Sequence, residues 1–466
     1  MKMTTTYKVL AMALLGGITN VSIANTDLLT VYQDALANDT QYKISEANLR
    51  ATEQDYRISR SSLLPQIGGS ISRSRSDFDN EGQGLDGSPS DPFNSEVNTT
   101  TYAIQLDQVL FDWGQWIALD QSEMRVRAAE LTHASNLQSL MLRTTQAYFN
   151  VLAAEESLEI TQNEKSALQK QLDLTREQYE SGLANATDFL NAQANYDQAV
   201  ANEISQETAL INAQEALREV TGQYYSELED VGNSISMQAP QPANMDDWMR
   251  VATESNFGLK AQQMNVRVAR DEVKRNRSGH YPRANFSVNY SDRDSDTDRV
   301  FPLGVSGPSP APPGSTFTSS QLSDGYQASV TISVPLFSGL RTSAQTEKAK
   351  QSYLRTTHEL EQNTRAIQKN VRSAFTTLEA SIQSFKANTR VLESSQSSLE
   401  ATQDGYQAGT RNIIDVLQAT RAVYAAERSL SQAKFNYLIN GLKLKQAVGT
   451  LTEQDIEQVN EWLVNN

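Results

Sequence analysis

The sequence predicts an α+β chain in which short paired strands alternate with very long coiled-coil helices, arranged as two copies of one unit. Three observations carry this reading. Two blocks of the chain match at an offset of about 227 residues, all prolines are confined to a few zones, and an apolar residue recurs at every seventh position between those zones.

The copies show at residue level, where self-similarity at a fixed offset marks a repeated structural unit. Tyr179 to Leu183 (YESGL), running on to Asp188–Leu190 (DFL), reappears as Tyr406 to Thr410 (YQAGT), running on to Asp415–Leu417 (DVL). Leu217 to Gly222 (LREVTG) matches Leu444 to Gly449 (LKQAVG). Pro65 answers Pro282 at a slightly shorter offset, and Leu110-Phe111 answers Leu336-Phe337.

In chain order, Lys2 and Lys8 precede the apolar run Val9–Ile18, and Ser22-Ile23-Ala24 offers a cleavage point. Residues 1–24 therefore read as a secretory signal peptide, too short in its apolar part to span a membrane. The first unit, 25–222, carries a helical stretch near Asp27–Ser62, a β-hairpin about 66–111, a long helix from Asp112 to Glu180 and a shorter one at Asp188–Val220. A link at 223–243 follows. The second unit, 244–449, repeats the plan: a helical stretch at Asn244–Arg277, a hairpin about 283–337, a long helix from Ser338 to Asp404 and a shorter one at Asp415–Val448. A tail occupies 450–466.

The helix assignments rest on proline and on periodicity. The twelve prolines lie within Pro65–Pro92, Pro240–Pro313 and at Pro335. A proline costs about 3 kcal/mol in a helix interior, so the long intervening stretches are free to be helical. Val371, Leu378, Phe385, Leu392, Leu399 and Tyr406 keep a seven-residue spacing; Val151, Leu158, Lys165, Leu172 and Tyr179 keep the same register with one polar break. A seven-residue apolar repeat specifies a left-handed coiled coil. At 1.5 Å per residue each long helix reaches roughly 100 Å. Ala192, Ala199, Ala419 and Ala426 on the shorter helices permit close approach. An elongated soluble bundle satisfies these helices equally.

The strands alternate with period two. Tyr326, Ala328, Val330, Ile332, Val334 and Leu336 alternate with Gln327, Ser329, Thr331 and Ser333, and Tyr102, Ile104, Leu106 and Leu110 with Thr101, Ala103, Gln105 and Asp107; Phe286, Val288 and Tyr290 alternate with Asn285, Ser287 and Asn289, and Ile67 and Ile71 with Gly68, Ser70 and Ser72. Segments of about ten residues suit tilted transmembrane strands. The Gly/Pro/Ser-rich connections at Asp77–Asn98 and Ser291–Asp324 suit long external loops. Alternation alone fits a half-buried soluble sheet as well. The secretory leader makes an outer-membrane destination possible, and four strands cannot close a barrel. Open edges in lipid leave backbone groups unpaired at several kcal/mol each. Closure then needs several chains: three give twelve strands, whereas two give eight and a lumen filled by side chains.

Composition excludes other classes. Cysteine is absent, so there is no disulfide framework, thiolate site or lipid-anchoring cysteine. His133, His280 and His358 have no metal-ligand spacing, and no Walker-type loop is present. No cofactor and no enzymatic activity are expected. The formal charge of −16 becomes −18 once a leader with two lysines is removed. Such acidity argues against nucleic acid as partner.

Several residues carry a resemblance over essentially the whole mature chain: the Leu64-Pro65-Gln66 corner, Tyr406 to Arg411 (YQAGTR), Asp415–Leu417 and Phe435–Asn440 (FNYLIN). Together with the two-unit plan, they resemble the TolC family of outer-membrane efflux and secretion channels. The resemblance implies a homotrimer with a twelve-stranded barrel in outer-membrane lipid, continued by a twelve-helix α-barrel in the periplasm of a Gram-negative bacterium. It implies a mixed girdle, which falls at the link and the tail. It also implies a passive duct that docks a periplasmic adaptor and an inner-membrane transporter of RND or ABC type, opening by an iris-like movement of its coiled coils.

By motif position, the resemblance sets Gly182 and Gly409 at the periplasmic tip turns and maps a gating network onto Thr187, Asp188, Tyr406 and Arg411. An Asp–Arg pair with a Tyr hydroxyl is a latch of modest, breakable links. Thr187, Asp188 and Asp415 are also placed to cap helix starts, and the two roles can coexist. Asp415 matches one position of a constriction ring of aspartates; Gln418 stands where the family has a second, which predicts weaker cation selectivity. The functional reading is an exit duct for a tripartite efflux pump, type I secretion, or both. The alternatives are a channel dedicated to one secretion system and a non-porous coiled-coil scaffold or adhesin.

Overall fold

The computed structural model describes residues 26–80, 93–232, 237, 239–300 and 315–464. The expected leader lies outside the described residues, as do the tips of both hairpins. Four strands, β1 (Gln66–Asn80), β2 (Phe93–Phe111), β3 (Arg283–Val300) and β4 (Thr316–Ser333), form one antiparallel sheet in the order β1-β2-β3-β4.

Its register places the apolar residues on one face, because residues directly opposite in neighbouring strands point the same way. Ile67, Leu106, Val288 and Ala328 form one row; Gly69, Ile104, Tyr290 and Tyr326 form the next. The following row, Ile71, Tyr102, Asp292 and Asp324, brings in carboxylates on that same face. Above it lie Asp294, Asp296 and Asp298. The apolar band therefore ends at tyrosines. The opposite face is polar, with rows such as Gly68, Gln105, Asn289 and Gln327. Ser287 and Ser329 hydrogen-bond across it at 2.9 Å.

Two strand expectations need correction. The strands are 15 to 19 residues long, not about ten, and they run into stretches expected to be loop. A ladder is held by backbone groups, so polar side chains do not end it, and here they pair across it. Arg75 bonds Glu96 at 2.8 Å, and Thr318 donates to Asp298 at 2.6 Å. Secondly, β4 stops at Ser333, leaving Val334 and Leu336 outside it. Pro335 has no N–H to continue a ladder. The chain then turns through Leu340, a non-glycine residue at φ 63°, into the helix that follows.

Two helices dominate the rest: α3 (Trp113–Glu180) with 68 residues and α7 (Arg341–Gln407) with 67. Each hands over to a 36-residue partner, α4 (Ala186–Thr221) and α8 (Ile413–Val448) respectively. Both shorter N-terminal stretches break once, which periodicity did not signal. α1 (Leu28–Asn38) and α2 (Thr40–Ser61) meet at Asp39; α5 (Met245–Ser255) and α6 (Phe257–Arg277) meet at Asn256. Each junction residue has a non-helical ψ, and its side chain caps the next helix, Asp39 at Tyr42 N and Asn256 at Leu259 N. A cap that satisfies orphan N–H groups makes such a break inexpensive.

The main core lies midway along the long helices. Tyr148, Phe149 and Val151 of α3 meet Val371 and Phe375 of α7 and Phe435 and Leu438 of α8. The link and the tail wrap this core together. α9 (Glu453–Val464) contributes Ile456, Val459 and Leu463, and Leu228 and Val231 join them. The Tyr148 hydroxyl donates to the Glu229 carbonyl at 2.8 Å, and Asn460 donates to Asp27 at 3.0 Å. The Asp39 carboxylate, buried, accepts both guanidinium arms of Arg143 at 3.0 and 3.1 Å. Among the described residues no helix is long and apolar enough to cross a membrane.

Candidate functional site

At the far end of the long helices two turns share one geometry. Gly182 and Gly409 adopt φ 80° and 75°, the left-handed conformation that ends a helix and that L side chains avoid. Leu183 N–H donates back to Gln178 O at 2.7 Å, and Thr410 N–H to Gly405 O at 2.8 Å. Open space surrounds both glycines, so their requirement is conformational. The next helices start on asparagines. Asn185 accepts from Asp188 N–H at 2.8 Å. Asn412 and Asp415 form a reciprocal capping box, at 2.9 and 3.3 Å. The N-caps are thus Asn185 and Asn412 rather than Thr187 and Asp188, while Asp415 does take part in capping.

A small apolar cluster supports these turns: Leu168, Leu172, Ala192, Ala199, Ile413, Val416 and Leu417, with Phe189, Tyr196 and Tyr406 against it. Tyr406, half-buried there, donates its hydroxyl to Gln178 Oε1 at 2.9 Å and so ties α7 to α3. Arg411 is exposed and reaches Asp415 at 4.0 Å within its own turn. A Cβ at Gly405 would lie 2.8 Å from Arg411 Cγ, so that glycine makes room for the arginine stem. Thr187 is exposed, Asp188 half-buried and Gln418 exposed. Among the described residues no hydrogen bond or ion pair joins Thr187 or Asp188 to Tyr406 or Arg411. Gln178, Asn185 and Asn412 escaped the sequence reading. An Asn followed three residues later by Asp was the available signal for the caps; nothing local marks Gln178. Tyr179 stacks on Phe189 at 5.7 Å, with Arg176 over the same ring at 5.9 Å.

Between the tip cluster and the main core lies a charged belt. Glu164, with its carboxylate buried, bonds Arg428 of α8 at 2.7 Å. Its neighbour Lys165, the polar break in the heptad, bonds Glu203 of α4 at 2.5 Å, and this hydrogen bond raises the lysine pKa. Consecutive residues of α3 thereby hold two different helices.

The model of the family described as outer membrane efflux protein matches residues 31–223 and again 248–450. Over 437 residues the chain is 33% identical to outer membrane protein TolC of Vibrio cholerae, covering 94% of each. The chain belongs to the outer membrane efflux protein family. It is also 28% identical over 436 residues to the alkaline protease secretion protein AprF of Pseudomonas aeruginosa, covering 93% of this chain and 86% of that one. In fold it matches the CmeC outer membrane channel of Campylobacter jejuni at a TM-score of 0.73, with 98% of each chain covered and 16% identity. An outer membrane efflux protein resides in the outer membrane, where a four-stranded sheet with an apolar band has its solvent.

Proposed function

We propose that this chain is one protomer of a homotrimeric outer-membrane exit duct serving efflux pumps, type I secretion, or both. The observation that carries this is the sheet: four strands, apolar on one face and polar on the other, with β1 and β4 as open edges. In lipid those edges need partners, and three copies give twelve strands around a water-filled lumen. The tyrosine row at Tyr290 and Tyr326 then marks the outer membrane boundary, as aromatic girdles do.

The duct is passive and not an enzyme, with energy supplied by an inner-membrane transporter of RND or ABC type through a periplasmic adaptor. The units 25–222 and 244–449 are its two structural repeats, with 223–243 and 450–466 as girdle. Thr187, Asp188 and Arg411 act as latch residues between copies, and Tyr406 acts within one. Asp415 supplies three carboxylates to the constriction, and Gln418 supplies none. The relation to AprF favours secretion as one of its tasks.

The test is native mass in detergent combined with planar-bilayer conductance. A trimer that conducts ions is expected. A non-conducting monomer would leave the scaffold reading in its place.

A further inference from the structure

The two helices that lead up into the sheet carry the same basic residues. At the offset relating Pro65 to Pro282, Arg50, Arg57 and Arg60 of α2 answer Arg267, Lys274 and Arg277 of α6. Arg270 joins the α6 set, and positions 267, 270, 274 and 277 keep the three- and four-residue spacing of one helix face. α6 packs between α3 and α7 of its own chain, yet this face stays exposed, so it is free surface and not a seam between helices. Arg50 holds Glu46, and Arg270 and Lys274 share Asp271. Among the described residues Arg57, Arg60, Arg267 and Arg277 have no ion pair. Residues 267–283 hold six Lys and Arg against two acids, in a chain whose formal charge is −16.

This charge stands at one edge of the apolar band. A Cβ on Gly114 would lie 2.9 Å from Ser278 Oγ, so the first turn of α3 is level with the end of α6 at Arg277. On that turn Trp113 and Trp116 are 47% and 50% exposed. Membrane–water boundaries collect such tryptophans, which sets Arg277 at headgroup height. Arg and Lys stems a turn lower reach the same layer by extending along the surface. The other edge of the band differs in sign: past Tyr290 the same face carries Asp292, Asp294, Asp296 and Asp298.

Resting on the outer-membrane duct reading above, we propose that the α2 and α6 stripes form a basic collar that binds anionic phospholipid headgroups of the periplasmic leaflet. Each guanidinium offers two parallel N–H groups to a phosphate. A zwitterionic headgroup cancels that attraction with its own cation, whereas an anionic one does not. Because both repeats carry the stripe, the collar runs right around the duct and fixes its height in the leaflet.

Trp113 and Trp116 report the contact directly, while Trp248 and Trp462 sit by Leu378 and Leu438 of the main core and give a constant background. The full-length protein is reconstituted in vesicles of phosphatidylcholine and phosphatidylglycerol, with one or the other brominated on its chains, and tryptophan quenching is read. Phosphatidylglycerol should be preferred by roughly fivefold, the effect of one basic contact. Arg57→Gln/Arg60→Gln/Lys274→Gln/Arg277→Gln should abolish the preference, as should salt at about 1 M acting on the wild type. Arg60→Lys/Arg277→Lys should keep it. Equal quenching by both lipids, or a preference that survives the four substitutions, overturns the collar. Altered ion selectivity of the fourfold variant with an unchanged lipid preference would put the stripe in the lumen and overturn it too. A wild-type protein that neither conducts nor is quenched by either lipid overturns the duct reading itself.

Discussion

At the tip, the phenol of Tyr406 spans from α7 to α3 and ends on Gln178, a residue with no charge to advertise its role. A neutral hydrogen bond of this kind contributes about 0.5–1.5 kcal/mol. Tyr406→Phe keeps the ring in its cluster and removes only the donor, so it should raise open-channel occupancy severalfold in bilayer recordings. Gln178→Leu should do the same, and the double variant should add little, because both remove one bond. Fully additive effects would detach Gln178 from the proposed latch. At the constriction proposed for Asp415, Asp415→Asn should weaken divalent-cation block, and Gln418→Asp should strengthen it. Block abolished by Gln418→Ala yet unchanged by Asp415→Ala would sink that assignment.

At the level of elements, α3 is the helix on which the others depend. It meets α4 through Lys165 and α8 through Glu164, between two apolar clusters that never touch. Breaking a buried pair by removing one charge leaves the other poorly solvated, and this outweighs what the pair itself contributed. Glu164→Gln should therefore lower stability by about 1–3 kcal/mol, given that Arg428 keeps some contact with water. Lys165→Gln, whose pair is better exposed, should cost less. Thermal unfolding midpoints of the detergent-solubilised protein would rank the two, and the reverse order would contradict the belt described above.

For the whole molecule, pH enters through partly buried carboxyls on α3 and α8. Burial, and then the nearby charge of Asp230, raises the pKa of Glu155; burial likewise raises that of Glu427. When the folded pKa of an acid exceeds the unfolded one, the folded state binds the proton more tightly. The resulting stability is present at acid pH and is lost as pH rises through the raised value. At neutral pH the ionised Glu155 is thus a burden. Glu155→Gln should raise the melting temperature by a few degrees near pH 7 to 8, with the gain shrinking towards the ordinary carboxylate range. A gain that grows on acidification would reverse the sign argued here.

Periodicity and proline placement suffice for the helices, because a heptad and the absence of proline are local properties of the chain. They located α3, α7, α4 and α8 to within a few residues, and alternation located all four strands. The turn glycines were legible for the same reason, since a left-handed residue is needed wherever a helix must end sharply. What the chain could not announce depends on neighbours. The strands continue past the apolar band because their partners continue, and β4 ends where Pro335 withdraws a donor. Gln178 matters only because folding brings it opposite Tyr406, more than two hundred residues away in sequence. Even the polar break at Lys165, read as a flaw in the heptad, became a link once the tertiary structure set Glu203 beside it.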